Sequence, residues 1–207
     1  MFVNSAQLSA LNPCRKDCDI MNIMIVGVGG QGTLLASRII GAAAINLGGD
    51  VKLSEVHGMS QRGGSVVTYV RYGEKIASPI IGEGEADVIL AFEQLEAYRY
   101  ISYLKKGGKY IVNTQKTNPM PVITGAAKYP EDILGKMEKM GISVTSCDAL
   151  ALAKEAGNIK SVNVVLIGVM AKHTNISKEE WEEAIKQTVP EKFLEVNLKA
   201  FRLGYDA

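Results

Sequence analysis

Short apolar runs alternate with segments of helical period along most of the chain. Asn22–Val28 (NIMIVGV) is apolar throughout and ends in glycines, which predicts a strand buried on both faces. Gln31–Leu47 follows with Leu34, Leu35, Ile39, Ala42, Ala43 and Leu47 on one stripe, a helix stopped by Gly48-Gly49. Val51–Val56 reads as a second strand and His57–Gly64 as a glycine-bracketed loop. Ser65–Tyr72 is β-branched and aromatic, hence a strand, with Lys75–Ser78 as its expected hairpin partner across the turn at Gly73.

The alternation continues. Ala86–Phe92 predicts a buried strand, Glu93–Leu104 a helix stopped by Gly107-Gly108, and Lys109–Asn113 a strand. Pro119 and Pro121 interrupt the next stretch, and Pro130 opens a helix running to Met140. Ile142–Ser146 is the next strand and Asp148–Ala156 a short helix. Asn163–Lys172 is a helix apolar on nearly every side. Ser177-Lys178-Glu179-Glu180 is a capping box for a helix carrying Trp181, Ala184 and Ile185, and Pro190–Leu203 is the last helix. The sum is an α/β fold: an open, mainly parallel Rossmann-like sheet with an inserted antiparallel hairpin and a helical C-terminus.

Residues 1–20 show no period and no apolar block of a secretory signal, so they read as a flexible extension. Residues 21–207 read as a single domain, with Met21 the expected start of the fold. The length of 207 residues fits one domain with an appendage. Lys and Arg total 23 against 22 Asp and Glu, a balance that argues against a nucleic-acid partner held by bulk charge. The longest apolar run, Val164–Ala171 with Gly168 inside it, is far short of the ~20 residues of a membrane span. Cys14, Cys18 and Cys147 are too few for a disulfide framework or for the four thiolates of a usual iron–sulfur cluster, and a reduced cytoplasmic setting is expected. Cys14 and Cys18, spaced C-x3-C, read as part of a polar terminus rather than a metal pair.

Gly27-Val28-Gly29-Gly30-Gln31-Gly32 matches G-x-G-x-x-G between a strand and a helix. Such a turn, continued by Thr33, points backbone N–H groups at a phosphate or carboxylate, so Gly27, Gly29, Gly30, Gln31, Gly32 and Thr33 form the candidate cofactor-binding set. Glu55, on the second strand, could face a ribose. Yet the chain then runs through a glycine-rich loop into another strand, not a second crossover helix, so the nicotinamide pattern is broken. A triphosphate loop is excluded because Thr33 stands where its lysine would be.

The loop itself concentrates chemistry: Glu55, His57, Met59, Ser60, Gln61, Arg62, Gly63 and Gly64 lie within ten residues. Arg62 is a fork of donors suited to phosphate or carboxylate, and His57 is of the residue type whose ordinary range lies near neutrality. On composition alone the same stretch reads equally as a solvated loop or as interface packing. No residue pairs visibly as nucleophile and base, so no catalytic residue is assigned.

Gly27-x-Gly29-Gly30-Gln31-Gly32 followed by Glu55-x-His57-Gly58-Met59-Ser60-Gln61-Arg62-Gly63-Gly64 resembles the gamma-type domain of 2-oxoacid:ferredoxin oxidoreductases, in the version of the arylpyruvate branch. The likeness runs from about Met21 to Tyr205 and takes in Ala86–Leu90 and Asn163–Ala171. It implies a subunit of an enzyme that converts indolepyruvate and other arylpyruvates, coenzyme A and oxidised ferredoxin to aryl-acetyl-CoA, carbon dioxide and reduced ferredoxin. It further implies that thiamine diphosphate, Mg and iron–sulfur clusters belong to a large alpha subunit, with no cofactor held by this chain alone. The glycine turn and the Glu55–Gly64 loop would then face that partner or the coenzyme A route. Two other readings stand beside it: a free-standing NAD- or FAD-binding oxidoreductase using the glycine turn, and a module binding an anionic metabolite. The subunit reading carries one expectation of its own, apolar surface left exposed in the isolated chain.

Overall fold

A computed structural model describes residues 20–57 and 63–207. The expected extension with Cys14 and Cys18, and Gly58, Met59, Ser60, Gln61 and Arg62 of the loop, lie outside these residues.

Six strands form one sheet in the order β2-β3-β1-β4-β5-β6. They are β1 (Met21–Val28), β2 (Asp50–His57), β3 (Ser65–Gly73), β4 (Ala86–Ala91), β5 (Leu104–Asn113) and β6 (Val144–Cys147). β1, β4, β5 and β6 are parallel neighbours, while β3 runs antiparallel to β1 on one side and to β2 on the other. The helices are α1 (Thr33–Asn46), α2 (Gln94–Arg99), α3 (Met120–Ile123), α4 (Ile133–Lys139), α5 (Ala149–Ala156), α6 (Val162–Ala171), α7 (Lys178–Thr188) and α8 (Leu194–Asp206).

The period of two along each strand divides the core. Ile23 and Ile25 of β1, with Val88 and Leu90 of β4, pack with α1, α5, α6, α7 and α8; Met24, Val26, Ile89 and Ala91 pack with Ala97 of α2 and Ile133 and Met137 of α4. The continuously apolar strands are thus covered on both faces, as parallel strands require. α6 is the most enclosed helix: every residue from Asn163 to Ala171 is buried.

Most boundaries follow local chemistry. The capping box at Ser177 forms as expected, with the hydroxyl accepting from Glu180 N–H and the Glu180 carboxylate accepting from Ser177 N–H at 2.8 Å. Asp148 caps α5 and Glu93 caps α2 through their carboxylates. Several expectations change. The helix expected from Pro130 begins at Ile133 with Asp132 as its N-cap, and the helix expected from Pro190 begins at Leu194 after a 3-10 turn at Glu191–Phe193. Lys75–Ser78 is irregular, and β3 takes β2 as its hairpin partner instead; the Asp50 carboxylate accepts Ile76 N–H at 2.9 Å, tying that segment down without a ladder. The helix expected over Glu93–Leu104 ends at Arg99, and Leu104 already belongs to β5.

α6 and α8 cross at two glycines. A methyl group at Gly168 would strike the Phe201 carbonyl oxygen, and one at Gly204 would strike the Val165 carbonyl oxygen, so the two backbones touch with no side chain between them. Overpacking of this kind costs about 3 kcal/mol where backbone cannot yield. Gly168→Ala should therefore lower Tm by roughly 6–12 °C in a chain of this size. Circular-dichroism melting checks this, and an unchanged Tm would show that the crossing is looser than described.

Candidate functional site

The first crossover sends α1 to one face of the sheet, and the next, after β4, sends α2 to the other. In α/β sheets the ligand crevice falls where consecutive crossovers diverge, here outside the carboxyl ends of β1 and β4. The glycine turn lies there. Gly30 and Gly32 adopt φ of 99° and 85°, left-handed values that a side chain would strain, and Gly32 is the N-cap of α1. The Gln31 side chain closes the turn: its carbonyl accepts Val28 N–H at 2.7 Å, and its amide donates to Phe92 O at 3.3 Å, bridging to the end of β4. Gln31 therefore shapes the crevice from within.

β3 brings the second motif against the first. Its ladder with β1 runs from Met21 opposite Tyr72 to Val28 opposite Ser65, and beyond it Gly29 N–H donates to Gly64 O at 2.9 Å and Gly63 N–H to Gly29 O at 3.4 Å. The far end of the histidine-to-glycine loop is thereby pinned to the glycine turn. The near end is β2, whose His57 is opposite Val66. The two motifs that stand apart in sequence thus meet at one edge of the sheet.

A cavity of about 400 Å³ lies between them, lined by Gly29, Gly30, Gly32, Thr33, Leu34, Glu55 and Val66. On one side are the first-turn N–H groups of α1, which have no acceptor within the helix. Facing them is the Glu55 carboxylate, which accepts from the Thr68 hydroxyl at 3.2 Å and from the Thr33 hydroxyl at 3.5 Å. The arrangement suits a ligand or partner group that presents an acceptor to the helix and a donor or cation to Glu55. Because β3 stands between β1 and β2, Glu55 lies one strand, about 4.8 Å, farther from β1 than the ribose-binding acid of a complete dinucleotide half. That displacement is the structural form of the broken nicotinamide pattern.

Several contributors escaped the sequence. Asn163 donates from Nδ2 to Gly32 O at 3.3 Å, steadying the N-cap of α1 from α6. A polar residue at the head of an otherwise apolar helix was the available signal. Beyond β4, Glu93 is buried and accepts from Glu96 N–H at 3.0 Å, from Thr117 N–H at 3.0 Å and from the Tyr129 hydroxyl. Burial first, and this hydrogen bond to Glu93 next, push the Tyr129 hydroxyl well above its ordinary range. Asn113 donates to Phe92 O at 3.1 Å and accepts from Ala149 N–H at 3.3 Å. These bonds make the carboxyl ends of β4 and β5 rigid. Glu96 accepts from the Ser65 hydroxyl at 2.5 Å, and Tyr100 lies 3.3 Å from the same hydroxyl, so the first residue of β3 is anchored just past Gly64.

Four of the exposed apolar side chains follow strand carboxyl ends: Leu34 after β1, Val56 at the end of β2, and Met120 and Ile123 beyond β5 are 49%, 53%, 65% and 63% exposed; others, such as Ile45, Ile80 and Met140, lie elsewhere on the surface. Among the described residues no group of His, Cys, Asp and Glu could hold a metal ion. Cys147 is half-buried, and its thiol is pushed up to about 11 by burial, with Asp148 adding to the effect; it is no thiolate at neutral pH. No helix among the described residues is long and apolar enough to cross a membrane.

This architecture, an α/β sheet clad by helices on both faces with a glycine turn at its carboxyl edge, defines a Rossmann-like class. The chain belongs to the pyruvate ferredoxin/flavodoxin oxidoreductase family, whose sequence profile matches residues 22–207. It is 48% identical to the indolepyruvate oxidoreductase subunit IorB of Thermococcus kodakarensis, over 90% of this chain and 95% of that one. It is 32% identical to the pyruvate/ketoisovalerate oxidoreductases common subunit gamma of Thermococcus litoralis, over 90% and 96% of the two chains. The crystal structure of the keto/oxoacid ferredoxin oxidoreductase gamma subunit from Geobacter sulfurreducens superimposes with a TM-score of 0.67 at 29% identity, covering 90% of this chain and 96% of that one. The resemblance read from the glycine turn and loop therefore holds.

Burial raises the Glu96 carboxyl above its ordinary 4.5, and the Ser65 hydroxyl and Arg99 offset only part of this. A carboxyl raised on folding favours the folded state below its unfolded value, and that contribution is lost as pH rises through the folded value. Glu96→Gln, which imitates the protonated form, should melt higher than the parent at pH 7. The gap should close as pH falls towards 4.5. Paired melting curves across that range test it, and a variant that melts lower at pH 7 would show that the ionised form is the stabilising one.

Proposed function

We propose that the chain is the subunit without clusters of a 2-oxoacid:ferredoxin oxidoreductase that oxidatively decarboxylates indolepyruvate and other arylpyruvates. In that reaction the oxoacid and coenzyme A yield an aryl-acetyl-CoA and carbon dioxide, and two electrons pass to ferredoxin. The observation that carries the reading is the near full-length match to an indolepyruvate oxidoreductase subunit at 48% identity, well above the 32% shared with a pyruvate/ketoisovalerate subunit. Thiamine diphosphate, Mg and the iron–sulfur clusters are assigned to a large alpha subunit, and this chain's residues fit that division. Three cysteines in all cannot supply the four thiolates of a usual cluster.

In this reading residues 21–207 act as one gamma-type domain and residues 1–20 as an extension, in the cytoplasm beside soluble ferredoxin and coenzyme A. The carboxyl edge is the docking face. The glycine turn, Gly27 to Thr33, and the loop, Glu55 to Gly64, meet the alpha subunit or line the path of coenzyme A. Exposed Leu34, Val56, Met120 and Ile123 supply the apolar contact such a face needs. Arg62 supplies a bidentate donor for a carboxylate or phosphate, and Glu55 accepts from the opposite side.

The purified chain should not turn over indolepyruvate, even with thiamine diphosphate, coenzyme A and ferredoxin present. Recovered untagged from its native cell, it should carry a large thiamine-containing partner, and that complex should reduce ferredoxin. Arg62→Ala should leave Tm within the small range of a surface change, while weakening assembly or coenzyme A affinity roughly thirty-fold or more. Arg62→Lys should restore part of the loss. Turnover by the chain alone would overturn the proposal.

A further inference from the structure

The connection from β5 to α4, residues 114–132, is far longer than the roughly 2–6 residues such links usually take, and links of this length commonly carry function. Thr117 to Ala127 holds no charged residue. Met120, Pro121, Ile123, Ala126 and Ala127 along it are exposed, Met120 to 65% and Ile123 to 63%. α3 forms the turn of this segment, and its backbone closes on itself. Ile123 N–H donates to Pro119 O at 3.1 Å, Thr124 N–H to Met120 O at 2.9 Å and Ala127 N–H to Pro121 O at 2.9 Å. The apolar side chains thus stand on a formed turn.

Both stems of the segment are clamped to the start of α2. Buried Glu93 accepts Thr117 N–H at 3.0 Å from the outgoing stem and the Tyr129 hydroxyl from the returning one. Gln94 N–H donates to Gln115 O at 3.2 Å, Gln94 Nε2 to Thr114 O at 2.6 Å, and Leu95 N–H to the Tyr129 hydroxyl oxygen at 3.1 Å. A buried polar network that holds both stems specifies one placement of the turn between them. The same root carries the glycine turn. Phe92 O, one residue before Glu93, accepts from Gln31 Nε2 at 3.3 Å and from Asn113 Nδ2 at 3.1 Å. The apolar turn and the glycine turn are therefore mounted on one dipeptide, Phe92-Glu93, at the carboxyl edge.

We infer that the Met120–Ile123 turn is a preformed plug that seats in an apolar pocket of the catalytic subunit, with Glu93 and Tyr129 as the residues that position it. The inference rests on the subunit reading above and deepens it, naming the anchor of the contact and the chemistry of the surface that receives it. Contiguous exposed apolar surface marks an interaction site, and a rigid mount removes much of the ordering cost of binding. The common root with the glycine turn places the plug on the face assigned to the catalytic subunit, which favours that occupant over a second copy of this chain. A few central anchors carry most of the affinity of an interface, so Met120 and Ile123 contribute far more than their share of its area.

The test is isothermal titration of the full chain with the thiamine-containing subunit recovered beside it from its native cell, with sedimentation velocity of the free chain. Met120→Asp and Ile123→Asp should each weaken binding roughly thirty-fold or more, with Tm in the small range of a surface change. Met140→Asp, at a methionine just after α4 that is 59% exposed, should bind within about twofold of the parent. Tyr129→Phe should weaken binding about three- to tenfold and add little to Ile123→Asp, because both act through the plug. Asp variants that bind like the parent, an equal loss with Met140→Asp, or a Tyr129→Phe loss that adds in full to Ile123→Asp would each overturn the inference. So would a free parent chain that self-associates while its Asp variants are monomeric and bind the subunit unchanged; the occupant would then be a second copy. A parent that carries no thiamine-containing partner would sink the subunit reading itself, and the plug with it, a result distinguished by appearing before any substitution is made.

Discussion

The antiparallel pairing of β3 with β1 is the constraint on which the site depends. It is a full-length ladder at the centre of the sheet, and it continues past both strands as backbone bonds between Gly29 and Gly63-Gly64. Without it β2 would pair with β1 directly, the carboxylate of Glu55 would stand one strand nearer the glycine turn, and the loop between β2 and β3 would have no fixed end. Antiparallel neighbours need only a short connection, whereas parallel ones need a crossover. The change of direction at β3 is what allows a brief, glycine-rich loop to return to the turn at Gly29.

Rigidity at this edge has identifiable sources. Gln31 ties the glycine turn to β4, Asn163 ties the first turn of α1 to α6, and Asn113 ties β4 to α5 through both ends of its amide. Glu93 gathers three donors at the start of α2. Buried polar groups satisfied in this way specify one arrangement of the loops they join. The result is a preformed concave edge with helix N–H groups on one side, a carboxylate on the other and apolar side chains outside both. The proposed function reads this edge as a docking face.

Much of this was legible in the chain. Continuous apolar runs marked β1 and β4, a stripe at helical spacing marked α1, and the Ser177–Glu180 pair marked the start of α7. Glycine spacing found the turn, and Glu55 to Gly64 found the strand end and loop that meet it. What escaped depends on distant partners. Lys75–Ser78 had the length and position of a hairpin arm, but β2 occupies the free side of β3 along its whole length, and that segment is held by Asp50 instead. α2 ends at Arg99 and gives way to a 3-10 turn at Ile101–Tyr103 before β5, a change that no local propensity records. Asn163 and Ser161 are both polar residues beside an apolar helix, yet one holds Gly32 and the other is buried without a hydrogen-bond partner.

In the proposed function the carboxyl edge is the face this chain offers to a larger catalytic subunit. Hydrogen-exchange mass spectrometry on the free chain and on the assembled oxidoreductase tests it most directly. Assembly should slow exchange across Gly27 to Leu34 and across Glu55 to Val66, while Leu47 to Asp50 and Gly73 to Ser78, at the opposite ends of α1 and β3, exchange as before. Protection confined to the helical side, with the glycine turn unchanged on assembly, would contradict it.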